Sequence, residues 1–406
     1  MILDHNNSQA LQQSLAEAVH TMLQQSSAYS RDHDALRDGY RLSKVEHGQH
    51  IYMRQRADSP FHEVLSIGVS VRSLDDVLDL CYAATSEDQR ILEGLVHGDK
   101  YLDASVVQTV LAATLDDPFR WFGVKFKQLY MVGGFEKRAT TYAEYSGSIL
   151  DDQGQRVLFI ARETIPAPTP KDVVGFELQS ISLFTECRSG SIQDVHYSFV
   201  NPAGKFPAWL FNQQVATQLP LSHRISMLAQ KKRLLLAAKH RPLDYDDRPS
   251  RACVACNDKL GVFTHKHVCL ACNHVMCRRC LVKVPRALPR GSVAQEPFCK
   301  KCFVVAKDAA LPAHHLAWMD EDAILHSVIA RRRFYSNQAP SATPMATLYD
   351  DKCRRSSIGA RNSSITTTGS LADLPEDPIF ADMDACLQTQ RQLVEQIRLR
   401  LQEPTL

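Results

Sequence analysis

The sequence predicts an α+β protein: a curved, largely antiparallel sheet closed by a terminal helix, followed by a small metal-stapled module. Three observations predict it. Apolar residues recur at helical spacing near the N-terminus and again over residues 208–239. Short alternating segments separated by turn residues lie between these two helical stretches. Eight of the twelve cysteines fall between Cys253 and Cys302.

Each element has its own reason. Gln9 to Ser26 read as a helix, because Leu11, Leu15, Ala18, Val19, Met22 and Leu23 recur at helical spacing. His50–Arg56 and His62–Val71 read as strands. Ser73 reads as the N-cap of LDDVLDLCYAA, with Asp75 and Asp76 in the first turn, where carboxylates suit the helix dipole. Val106–Leu111 and Trp121–Leu129 read as extended. Two hairpins follow: TYAEYSGSIL with QRVLFIARE across DDQG, then FELQSISLFTEC with IQDVHYSFV across RSGS. NPAGKFP breaks the chain, and a helical pattern then runs from Ala208 to Lys239, interrupted at Pro220. His196, on an apolar strand, reads as a satisfied core histidine. Trp209, Leu210 and Phe211 read as core.

Composition bounds the partners. A chain of 406 residues, 44% hydrophobic and 23% charged, has room for two or three domains. A net charge of +2 excludes a chain that seeks polyanions as a whole. The N-terminus lacks a basic n-region with an apolar h-region, and no apolar run of about 18 residues exists. A cytoplasmic protein is therefore expected. Cysteines gathered as CxxC pairs point to zinc in a reducing compartment rather than to a disulfide scaffold.

The order of elements divides the chain into an N-terminal helix (1–29), the α+β domain (30–240), a charged linker (241–250) and the metal module (251–307). A further helix over 308–334 and a disordered Ser/Thr-rich segment over 335–378 follow. Met383, Leu387, Leu393, Val394, Ile397 and Leu401 then form the stripe of an amphipathic helix over 379–406, which offers a surface for a protein partner. In the disordered segment Arg354 and Arg355 precede Ser356 and Ser357, the pattern that basic-directed kinases prefer.

The stretch Asn201 to Leu228 resembles the final helix region of START lipid-transfer domains, which typically read D-P-G-G-x-I-P-x-W-L-V-N. Pro202, Gly204, Pro207, Trp209, Leu210 and Asn212 match, and RATTYAEYSGSILDDQGQRVLFIARE resembles the family's central hairpin. The resemblance covers residues 30–238. It implies a helix-grip fold in which the last helix lies over a cavity that holds one lipid.

The cysteines read C-x2-C-x12-C-x2-C-x4-C-x2-C-x18-C-x2-C, on Cys253, Cys256, Cys269, Cys272, Cys277, Cys280, Cys299 and Cys302. Eight thiolates suffice for two tetrahedral zinc ions with no open position, which makes the sites structural. Two schemes compete. One uses every cysteine and leaves His274 a bystander. The other spares Cys269 and uses His274, the order of RING fingers. The x4 and x12 gaps resemble FYVE fingers, over Asp244 to Phe303, and imply a treble-clef-like module with two Zn2+ bound in cross-brace order. FYVE fingers carry R-[RK]-H-H-C-R-x-C-G around the third and fourth ligands. Here Lys266 and His267 match, whereas His265, Val268, Leu270 and Asn273 replace arginine, histidine, arginine and glycine. The phosphoinositide pocket that the resemblance implies is therefore degraded, since a histidine or a leucine does not replace the bidentate arginine fork. Val262 and Phe263 stand where the family puts its membrane-inserting turret, so Lys266, His265, His267, Val262 and Phe263 are the candidate membrane contacts.

The module is strongly basic. Eleven Lys and Arg oppose Asp258 and Glu296 over residues 251–307, a net +9. Anionic membrane lipid is the expected partner. Nucleic acid is not, because no aromatic stacking platform or recognition helix accompanies the charge. No P-loop, G-x-S-x-G or H-E-x-x-H occurs, and no enzyme is expected. The sequence thus reads as a non-enzymatic, zinc-binding, lipid-binding protein, peripheral on endosomal or other intracellular membranes. The START–FYVE pairing resembles a group of oomycete proteins. The alternatives are a protein-interaction adaptor without a lipid ligand and a RING-type ubiquitin ligase.

Overall fold

The computed structural model describes residues 3–28, 35–36, 38–131, 136–187, 190–218, 222–239, 252–261, 265–288 and 291–307. The linker at 241–250, Val262 and Phe263, the elements expected at 308–334, 335–378 and 379–406, and Ser356 with Ser357 all lie outside these residues.

Helix α1 spans His5–Ala28. Strands β1 (Arg41–Glu46), β2 (Gln49–Gln55) and β3 (His62–Val71) follow, then helices α2 (Leu74–Cys81) and α3 (Ser86–His97). Strands β4 (Tyr101–Leu111), β5 (Trp121–Leu129), β6 (Arg138–Leu150), β7 (Arg156–Thr164), β8 (Val174–Gly175), β9 (Glu177–Glu186) and β10 (Ile192–Asn201) come next. Helices α4 (Ala208–Gln218) and α5 (Ser222–Lys239) complete this part; Pro220, the expected interruption, lies outside the described residues. Ser73 caps α2, its hydroxyl accepting from the Asp76 amide, with Asp75 and Asp76 in the first turn.

The ten-stranded sheet runs β1-β2-β3-β10-β9-β7-β6-β5-β4, with β8 beside β6 in parallel. The pleat sends alternate residues to opposite faces. On the outer face, Leu15, Val19 and Met22 of α1 cover Val157, Phe159, Ala161, Ile181, Leu183 and Val195. Each fully buried side chain of this kind contributes roughly 1.5–3 kcal/mol. On the inner face, α2, α3 and α5 pack over Trp121, Leu158, Ile160, Phe184 and Ile192. The result is a large antiparallel sheet gripping a C-terminal helix.

One expectation is corrected. Leu210 and Phe211 are core, but Trp209 is 54% exposed. Successive residues of α4 point about 100° apart, so a helix buried through Leu210 and Phe211 turns Trp209 outward. His196 is satisfied, its Nδ1 2.7 Å from the Ser182 hydroxyl.

Candidate metal centre and lipid chamber

The metal module begins with two equivalent turns. In the first, the Asn257 amide donates to the Cys253 carbonyl at 2.8 Å; in the second, the Asn273 amide donates to Cys269 at 2.8 Å. Both asparagines take a left-handed backbone, with φ of 59° and 61°. Asparagine tolerates that conformation where most residues do not, so Asn273 serves where a glycine is usual. Each turn curls two cysteines of a CxxC pair toward one point. Strands β11 (His267–Val268) and β12 (Val275–Met276) pair across the second turn, and β13 (Leu281–Leu288) with β14 (Ser292–Cys299) forms a hairpin. Helix α6, Lys300–Val305, then carries Cys302.

These elements gather the thiols into two groups: Cys253, Cys256, Cys277 and Cys280, and Cys269, Cys272, Cys299 and Cys302. Within each group all sulfurs lie within 4.8 Å of one another. Cys256 and Cys277 are 3.8 Å apart, and Cys272 and Cys299 3.9 Å. A tetrahedron with Zn–S bonds of about 2.3 Å places its sulfurs about 3.8 Å apart, so the spacing fits zinc. The grouping is interleaved along the chain. Backbone amides turn toward the sulfurs: Cys277 donates to Cys253 Sγ at 3.4 Å, Cys299 to Cys269 Sγ at 3.2 Å and Cys302 to Cys299 Sγ at 3.3 Å. A hydrogen bond from Cys272, with neighbouring amides, holds the Cys269 thiol down at about 4 despite burial. At Cys253 burial opposes the thiolate, but the amides around Cys256 and Cys277 win and hold it at about 6. Donors aimed at sulfur stabilise the ligating thiolates. His274 belongs to neither group; it is exposed, and its Nδ1 donates to the Cys272 carbonyl at 2.6 Å.

The finger packs on the sheet domain within one compact unit, Met1–Pro340. Val284, Phe298 and Ala306 share a continuous core with Ile91, Leu95 and Leu228. Arg233 of α5 is the polar clamp. It donates to Asp76 at 2.7 Å, to Asp79 at 2.8 Å and to the Lys307 carbonyl at 3.0 Å. Burial raises the Asp79 carboxyl, opposed by Arg233. Gln230 of α5 also donates to the Phe303 carbonyl.

The finger's outward surface is cationic. Arg279 pairs with Asp258 at 2.6 Å and Arg286 with Glu296 at 3.0 Å, which occupies both acidic residues of the segment. Lys259, Lys266, Arg278, Lys283, Lys300 and Lys301 are exposed and make no ion pair among the described residues. Lys266 and His265 are exposed and His267 is half-buried. Val268 and Leu270 are 45% and 36% exposed in the same segment.

The sheet's inner face carries a polar belt that the strand pattern disguises. Register places Glu144, Arg162, Ser180 and Ser198 in one row across β6, β7, β9 and β10. Arg162 Nε donates to Glu144 at 2.6 Å, and Lys125 donates to the other carboxylate oxygen. Burial lowers the Lys125 and Lys127 ammoniums, opposed by Glu144 and Glu93 respectively. Burial likewise pushes the His196 imidazole down to about 4, with Arg162 adding to the shift. Cys81 of α2 faces this cluster, its thiol pushed up by burial to about 11. Arg162 sits near the middle of the sheet, yet its side chain keeps 21% exposure. Apolar side chains flank it: Leu158, Ile160 and Phe184 on one side, Phe176, Leu178 and Tyr142 on the other. A hollow of about 460 Å³ lies on the opposite face beneath α1, lined by Met22, Tyr40, Arg54, Ile181 and Tyr197.

No protein-family model matches the chain, and no curated protein does. Among solved structures it is similar to human StAR-related lipid transfer protein 5, at 14% identity and TM-score 0.39, covering 55% of this chain and 97% of that one. It is also similar to a STAR-related lipid transfer protein from Xanthomonas axonopodis, at 17% identity and TM-score 0.37, covering 47% and 99%.

Proposed function

We propose that this chain is a non-enzymatic zinc- and lipid-binding protein of the cytoplasm that meets intracellular membranes peripherally. The two four-cysteine groups carry the metal half of this reading. Eight thiols at tetrahedral spacing, with amides aimed at the sulfurs, suit two closed, structural zinc ions that cross-link the finger. The lipid half rests on the ten-stranded sheet closed by the C-terminal helices, with the Arg162 side chain partly open on its inner face.

Unpaired lysines and arginines around exposed Val268 and Leu270 supply the membrane contact, together with His265, His267, Val262 and Phe263. Each basic residue near an anionic leaflet contributes about 1 kcal/mol, screened by salt. Lys266 and His267 alone do not rebuild an arginine clamp, so the finger meets anionic lipid without selecting phosphatidylinositol 3-phosphate.

Vesicle sedimentation with the full chain tests this. Binding to phosphatidylserine vesicles is expected to weaken several-fold between low and physiological salt, and to gain nothing from added phosphatidylinositol 3-phosphate. Binding that requires that lipid and survives high salt would show a working headgroup pocket. Absence of binding to every anionic vesicle would leave the protein-adaptor reading.

A further inference from the structure

The charge of the chain changes sign where the finger ends. The finger carries a net +9 over residues 251–307, whereas residues 308–330 carry Asp308, Asp320, Glu321 and Asp322 and no Lys or Arg, a net −4. The same acidic stretch holds Leu316, Trp318, Ile324, Leu325, Val328 and Ile329. It lies outside the described residues and is joined directly to the last of them, Lys307. The finger's surface is the counterpart of that composition. Val304 and Val305, at the end of α6 just beyond Cys302, are 64% and 65% exposed. Val268 and Leu270, also exposed, stand on either side of Cys269, which belongs to the same cysteine group. The Leu270 amide donates to the Pro297 carbonyl at 3.0 Å, which holds this turn against the strand that leads into α6. Lys266, Lys300 and Lys301 are exposed in the same segments and make no ion pair among the described residues. A small module that gathers exposed apolar side chains marks a contact surface. The lysines narrow its occupant to one that is both apolar and acidic.

We infer that residues 308–330 dock in cis on this face of the finger, acidic side chains against Lys266, Lys300 and Lys301 and apolar side chains over Val268, Leu270, Val304 and Val305, and so compete with anionic lipid for it. The competition rests on the membrane reading above; the docking does not. Covering the four apolar side chains removes their surface from water, which favours the docked state. The exposed charge pairs add little each, and they set the orientation. Direct attachment to Lys307 gives the segment a local concentration in the millimolar range, so weak contacts suffice and a free acidic partner has to overcome that concentration. A membrane offers the same two chemistries over a larger area, so lipid displaces the segment where anionic charge is dense.

The test uses the full zinc-loaded chain. A carbodiimide joins a carboxylate to a lysine amine only where the two touch, and mass spectrometry reads the joined sites. Cross-links from Asp320, Glu321 or Asp322 to Lys266, far back in the chain, are expected. Mixing ordinary with isotope-labelled chains separates links within one chain from links between copies. Trp318→Ser combined with Leu325→Ser leaves every charge in place. In this variant the Lys266 cross-links should fall at least about fivefold, as the loss of two large apolar contacts implies. Its sedimentation with phosphatidylserine vesicles at low salt should rise several-fold. Losing two apolar side chains would by itself weaken membrane contact, so a rise reads an uncovered finger. Absence of cross-links to Lys266, or an equal yield in the variant, would overturn the docking. Cross-links only between copies would overturn docking in cis, in favour of a second copy as the occupant. Vesicle binding unmoved or lowered in the variant would overturn the competition. Failure of both chains to bind any anionic vesicle would overturn the membrane reading, and the cross-links would then decide the docking alone.

Discussion

At the scale of single residues, what a position does depends on what its neighbours leave unsatisfied. Asn257 and Asn273 look like polar filler after a cysteine pair. Their left-handed backbone is what closes each metal turn. His196 shows the opposite: a titratable group held uncharged. Its folded value of about 4 lies below the ordinary value near 6.5. Between those limits the unfolded chain binds a proton that the folded chain refuses. His196 therefore contributes full stability above about pH 6.5 and loses it as pH falls toward 4, by up to about 3 kcal/mol. His196→Asn keeps a polar group near Ser182 and cannot titrate. Thermal unfolding at pH 7 and pH 5 should show a smaller loss in this variant than in the wild type. Equal losses would mean that His196 already charges in the fold. The ligand cysteines were legible because CxxC spacing leaves few alternatives. Lys125, Glu144 and Arg162 were not: strand alternation marks them as polar, and a polar position in a strand ordinarily faces water.

Among the elements, the sheet's two hairpins and α1 could be read from period and turn residues. Helix α3 was missed although its start carries a signal: Thr85 accepts from the Asp88 amide at 3.1 Å and donates to its carboxylate at 2.7 Å. Thr85 is thus a threonine N-cap, with the Asp88 carboxylate holding its hydroxyl in place. The β13–β14 hairpin was hidden because its strands lie between cysteines that draw all the attention, and Pro285 and Pro297 weaken the strand pattern. This hairpin and α3 meet closely. A Cβ at Gly94 would come within 2.9 Å of the Ala287 Cβ, and one at Gly291 within 2.7 Å of the Leu102 carbonyl. Gly94→Leu overpacks the contact and should cost about 1–3 kcal/mol. Hydrogen exchange is the appropriate readout. Amides of α3 and β13 should exchange faster, while β5, β6 and β7 stay protected. Unchanged protection across α3 and β13 would show that the finger does not depend on this contact.

For the whole molecule, the two four-cysteine groups and the sheet's inner face belong to one continuous core. Arg233 joins them by holding Asp76, Asp79 and the end of α6 together. Removing one partner of such a buried pair typically costs 3–5 kcal/mol. Loss of metal should therefore reach helix α5. The sequence could not reveal this, because contacts between α3, α5 and the finger join segments far apart in the chain and leave no local period. The central claim is that all eight cysteines, and no histidine, hold two zinc ions. Native mass spectrometry of the full chain tests it most directly. Two zinc ions per chain are predicted for the wild type and for His274→Ala, and at most one for Cys269→Ala. A folded chain without zinc, or a Cys269→Ala variant that keeps both ions while His274→Ala loses one, would contradict the account.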